Sequence, residues 1–138
     1  MPMRSVLAPV LVIVGVSMAV PALAVDAASA KKIPVELWFV GDDVLSLRVR
    51  DAVENAFKSS PDFIFSEGKK PGTLVVTIPE NAGWQRIGGR TRVLYKVEFA
   101  SSANQKIGAR NGSCWENAVG NCAAQIVRDA KIAARKIH

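Results

Sequence analysis

The residues able to do chemistry are few in this chain of 138 residues, and they are far apart. The one histidine, His138, is the last residue. A histidine-based triad or a metal site with two histidines therefore has no second imidazole to draw on. The two cysteines, Cys114 and Cys122, are separated by seven residues, wider than the Cys-x-x-Cys spacing of a redox pair. In an oxidising compartment they are expected to close a disulfide. Asp42 and Asp43 are adjacent carboxylates just before an apolar stripe of helical period. Neighbouring side chains at a helix start diverge, so capping explains them better than acid–base catalysis does. Gly88-Gly89 lacks the flanking spacing of a phosphate loop, and no Gly-Lys-Ser or Gly-Lys-Thr follows it. No catalytic set, cofactor or metal is expected.

What remains is binding chemistry. Trp84, Arg86, Arg90, Arg92 and Lys96 follow one another with no acidic side chain between Asn81 and Val97. Tryptophan and arginine are the side chains enriched where proteins grip partners, and an indole can stack on a sugar, a base or a partner's surface. The competing reading folds Trp84 back over a sheet edge and leaves the arginines solvated. Charge is uneven along the chain. Residues 25–85 carry 7 basic and 9 acidic side chains, whereas residues 86–138 carry 10 basic and 3 acidic. A basic half of this kind suits an envelope protein or an anionic surface polymer. Nucleic acid is not an expected partner outside the cytoplasm. Asn111-Gly112-Ser113 matches the glycosylation pattern, but Asn-Gly is also a tight-turn signal and is read here as a turn.

Export is expected from the N-terminus. Arg4 gives a positive start, Val6 to Val20 is almost wholly apolar, and Ala22-Leu23-Ala24 offers the small residues of a cleavage site. Residues 1–24 are thus expected to be a signal peptide, removed before Val25 in a periplasmic or secreted protein. The apolar run is short for a membrane span and is broken by Pro9, Gly15 and Pro21. Residues 25–33 read as a flexible lead-in, and residues 34–138 as a single domain.

Periodicity then gives the elements that must position the basic run. Val35, Leu37 and Phe39 alternate as in a half-buried strand. Leu45, Val49, Ala52, Val53, Ala56 and Phe57 form a helical stripe that ends at Ser60, before Pro61. Strands are expected at 63–65, 73–79 and 91–100, and from 106 to Trp115. Residues 80–90 are expected to be a loop. A last helix follows, with Val119, Cys122, Ala123, Ile126, Val127 and Ala130 on its stripe and Asn117 or Asn121 as its cap. Two amphipathic helices need a sheet face to bury their stripes. The expected fold is α+β: a two-layer sandwich in the order β-α-β-β-β-β-α, with a mainly antiparallel sheet of about five strands and both helices on one face.

Gly41-Asp42-Asp43 before the first helix, together with Gly112-Ser113-Cys114 and Cys122-Ala123-Ala124 where the last strand meets the last helix, resembles a group of short exported bacterial proteins of unknown function. The order of elements is similar to that of small periplasmic modules such as the N-terminal domain of TolB-like proteins. The resemblance implies a fold and a compartment, and no catalytic residues. The leading expectation is therefore a non-enzymatic accessory module that binds a protein or envelope component through the basic loop and sheet edge. A binder of a small ligand or anionic polymer is the alternative, and a small hydrolase comes third.

Overall fold

A computed structural model of the chain describes residues 31–66, 68 and 70–137. The expected signal peptide, most of the lead-in and His138 lie outside these residues. The described elements run β1 (Ile33–Phe39), α1 (Val44–Ser59), β2 (Phe63–Phe65), β3 (Leu74–Ile78), β4 (Gly83–Ile87), β5 (Arg90–Ser101), β6 (Lys106–Trp115), a short 3-10 turn (Glu116–Ala118) and α2 (Val119–Ala134). The class is α+β, with an open sheet of six strands rather than about five. The added strand is β4, inside the segment expected to be a loop. All five of its residues are exposed. A strand that buries nothing has no apolar alternation by which to be read.

The sheet is mixed. β1 pairs in parallel with β2 on one side and β3 on the other, and α1 is the crossover that a parallel β1–β2 pair requires. β5 pairs antiparallel with β3, β4 and β6. Its residues 92–94 face both β4 and β6, and its residues 98–100 face both β3 and β6. β3 and β4 therefore lie end to end along one edge of β5, and β6 lines the other. Leu74 sits opposite Ser101 and Gly83 opposite Leu94. Nine steps on one strand thus span seven on the other, so the chain between β3 and β4 is pushed outward. That jog docks onto α1. The Ser46 hydroxyl accepts from Ala82 N–H at 2.8 Å and donates to Asn81 Oδ1 at 3.3 Å. Asn81 Oδ1 also accepts the Asp42 N–H at 2.9 Å.

Val35, Leu74, Val76, Val93, Val97 and Phe99 cover one sheet face and are buried against Val49, Val53 and Phe57 of α1 and Cys122, Ala123, Ile126 and Ala130 of α2. Phe57 meets Phe63 edge to face at 5.0 Å between ring centres. α1 starts where Asp43 accepts the Ser46 N–H at 2.7 Å, which is the capping role expected of the aspartate pair. It stops at Ser60, whose extended ψ of 132° is what the following proline demands.

Two expectations for the last third are corrected. Asn111-Gly112 is no turn and lies inside β6. Gly112 stands opposite Tyr95, and a Cβ at 112 would fall on the Tyr95 phenol ring, so the missing side chain makes room for an aromatic neighbour. Neither Asn117 nor Asn121 caps α2. Its N-cap is Ala118, with no side-chain bond, and the 3-10 turn leads the chain in instead. Cys114 and Cys122 are bonded, with their Cα atoms 5.4 Å apart. Cys122 is fully buried, as its place on the apolar stripe predicts.

Candidate functional site: the β4–β5 hairpin and its basic cleft

β4 and β5 are joined by Gly88 and Gly89, both with positive φ, at 55° and 82°. This is the backbone of a tight I′ turn, which favours glycine at both positions. A Cβ at either would meet nothing within 4 Å, so their glycines serve conformation and not space. The register places Arg86 opposite Thr91 and Ile87 opposite Arg90.

Strand alternation then divides the basic run between two faces. Trp84 lies opposite the buried Val93, so Trp84 and Arg86 are on the helix side of the sheet. Both are exposed there, Trp84 by 64%. Arg90, Arg92 and Lys96 are on the other side, in line with Gln85, Ser113 and Trp115. The five residues expected to form one binding surface thus do not form one, and only Arg86 and Arg90 meet again, around the turn at the end of the sheet.

Their contacts separate them further. Arg92 is held in place: Nε and Nη2 donate to Ser113 Oγ at 3.0 and 2.7 Å. Lys96 pairs with Glu98 at 3.8 Å. Arg86 donates from Nη1 to Thr91 Oγ1 at 3.1 Å. Arg90 lies over the Trp115 indole, with its Cζ 3.8 Å from the ring centre, and Arg92 approaches the same ring at 5.3 Å. Two guanidiniums on one indole repel each other while the ring's π face attracts both.

Beside this stack is a cleft of about 340 Å³, lined by Arg48, Arg86, Arg90, Thr91, Trp115 and Glu116. Arg48 reaches in from α1 and pairs with Glu116 at 3.2 Å, and its other nitrogen donates to the Glu116 carbonyl at 3.0 Å. Glu116 is the only carboxylate on the wall. Trp84 does not line the cleft.

Sequence reasoning found Arg86 and Arg90 and missed Arg48, Trp115 and Glu116. Trp115 comes opposite Arg92 only because the β5–β6 pairing slips by one residue between Phe99 and Ala100. A bulge of that kind leaves no compositional mark. Arg48 is on α1, 68 residues from its partner.

Among the described residues, no three His, Cys, Asp or Glu side chains are placed to hold a metal ion. None of the described helices is long and apolar enough to cross a membrane.

No family model matches the chain, and no curated protein does. Solved structures do resemble it. One is a minor lipoprotein from Acinetobacter baumannii, 12% identical, with a TM-score of 0.55 over 78% of this chain and 95% of that one. The likeness is one of fold. Another is a Xanthomonas campestris protein of the family DUF330, 8% identical, with a TM-score of 0.40 over 78% of this chain and 85% of that one.

Proposed function

We propose that this chain is an exported accessory module of the cell envelope that holds an anionic group of a partner in the cleft at the turn end of the β4–β5 hairpin. The observation that carries this reading is a charge imbalance. Three guanidiniums, those of Arg48, Arg86 and Arg90, face one carboxylate, and Glu116 is already engaged by Arg48. The Arg90 guanidinium makes no hydrogen bond to any described residue, so its five donors are available. A carboxylate or phosphate is the chemistry that a planar guanidinium fork recognises. Stacking on Trp115 holds Arg90 in place beforehand and lowers the side-chain entropy lost when it binds. The export-type N-terminus, the disulfide and the lipoprotein-like fold support the envelope setting.

The test is retention on immobilised polyglutamate and on immobilised polyphosphate, which separates carboxylate from phosphate preference. Arg86→Ala with Arg90→Ala should abolish retention at low salt with the fold intact, because both side chains are exposed. Wild-type retention should weaken as salt rises, since exposed charges are screened within about 10 Å at 0.1 M. Equal retention of the double variant on both polymers would refute the cleft.

A further inference from the structure

The N-terminal half of β6 lies away from the cleft, which meets this strand only at Trp115. β6 is ten residues long and borders the sheet. On its far side the Ser113 carbonyl accepts from Gln125 Nε2 at 3.1 Å. No other backbone bond ties that edge to a described residue. Long free edges are templates for another strand, and proteins commonly shorten, cover or charge them.

This edge is charged, and with one sign. Lys106 and Arg110 are its only ionisable side chains. Antiparallel pairing of β6 with a second copy of itself would bring these cations together, and like charges across a strand pair destabilise it. A second copy is therefore a poor occupant, and an acidic strand is a complementary one.

The space beside the edge is already shaped. A groove of about 200 Å³ runs between β6 and α2, lined by Phe99, Ile107, Arg110, Asp129, Ile132 and Lys136. Ile132 is 45% exposed there, an apolar side chain without cover. Gly108 stands opposite Phe99, and a Cβ at 108 would meet nothing within 4 Å. Its missing side chain leaves the groove open on the helix side. A strand laid along β6 would put every second side chain into this groove. The charged groups around it are Lys106, Arg110 and Lys136 against Asp129, a cationic balance.

We infer that the β6 edge and the β6–α2 groove dock an extended acidic segment of another protein by strand addition, with apolar side chains of that segment seated on Ile107 and Ile132. Strand addition takes its affinity from main-chain bonds and its selectivity from alternate side chains. This site is independent of the hairpin cleft.

The probe is a synthetic peptide alternating Val and Glu, matched in length to β6, with a Val and Lys alternate as control. Binding of the acidic peptide should slow hydrogen exchange at amides within 108–112, and the Lys peptide should not bind. Gly108→Val should fold normally, since the new side chain enters open space, and should weaken binding about tenfold or more by filling the groove. Arg110→Glu leaves two cations against two carboxylates around the groove and should remove the preference for the acidic peptide. Arg86→Ala with Arg90→Ala should leave peptide binding unchanged, so the two sites fail or succeed separately. Any of three results overturns the proposal: protection that appears on β4 instead, undiminished binding by Gly108→Val, or a dimer in sedimentation with β6 protected in the absence of peptide.

Discussion

Tyr95 shows how one side chain can organise its surroundings. It is the only tyrosine, 5% exposed, and its hydroxyl donates to Gln125 Oε1 at 3.1 Å. Gln125 in turn donates to the Ser113 carbonyl. The chain of bonds thus ties β5 to α2 and α2 to β6. Burial disfavours the phenolate, and the nearby Asp129 carboxylate adds to the effect, so the Tyr95 pKa is pushed up from 10.0 to about 12. A proton held more tightly in the folded state stabilises it while both states are protonated. That contribution is complete below pH 10 and is lost as pH rises through about 12. Because no other tyrosine interferes, the ultraviolet phenolate band reports this group alone. In the folded protein it should develop near pH 12, and in denaturant near pH 10. Tyr95→Phe should remove the alkaline loss specific to this group and cost about 1 kcal/mol at neutral pH, the usual value of one hydrogen bond. A folded-state titration near 10 would show that the phenol is solvated.

Between elements, the decisive contact is the jog linking β3 to β4. Gly41, Ser46 and Asn81 are packed so closely there that a Cβ at 41 would lie 2.7 Å from Asn81 Oδ1 and 2.8 Å from Ser46 Cβ. The Ser46 hydroxyl is the acceptor for a buried backbone N–H, that of Ala82. Ser46→Ala should leave that donor without a partner and cost about 1–3 kcal/mol, read as a lower urea midpoint with an unchanged slope. A loss under about 0.5 kcal/mol would mean that water replaces the hydroxyl. This junction also marks the boundary of what the sequence made legible. β5 buries alternate side chains, β3 buries all but Thr77 of an apolar run, and α1 and α2 bury a stripe, so their patterns stand in the sequence. Asp43 and Pro61 fixed the ends of α1 by rules that act within a few residues. β4 buries nothing, the jog adds residues without changing composition, and the β5–β6 bulge shifts a register that only tertiary pairing sets. The basic run was visible as charge, but its division between two faces depends on those same irregularities. Its most useful partners, Arg48 and Trp115, therefore stayed hidden.

For the whole molecule, the disulfide joins stability, compartment and the cleft. Cys114 is the last residue but one of β6 and Cys122 lies on the first turn of α2, so the closed loop contains Trp115 and Glu116, two walls of the cleft. A bond across so short a loop is worth about 2–3 kcal/mol by loop-closure entropy. That is a large part of the roughly 5–15 kcal/mol by which a domain is stable. Cys114 is 6% exposed and Cys122 is 0%, so in the native state neither sulfur is open to attack by a thiol. Such a bond has to form during folding, in an oxidising space, which is where an export signal over residues 1–24 would deliver the chain. Protein recovered from the envelope fraction should accordingly have an intact mass that begins at Val25 or within a few residues, less two hydrogens, and should take up no alkylating reagent without denaturant. Cys114→Ser with Cys122→Ser should lower the unfolding free energy by about 2–3 kcal/mol. It should also weaken polyanion retention more than it weakens peptide binding at β6, because the walls that lose their tether belong to the cleft. A chain that retains Met1 and two free thiols would place the protein in a reducing compartment. Equal loss at both sites would show that the disulfide acts through global stability alone.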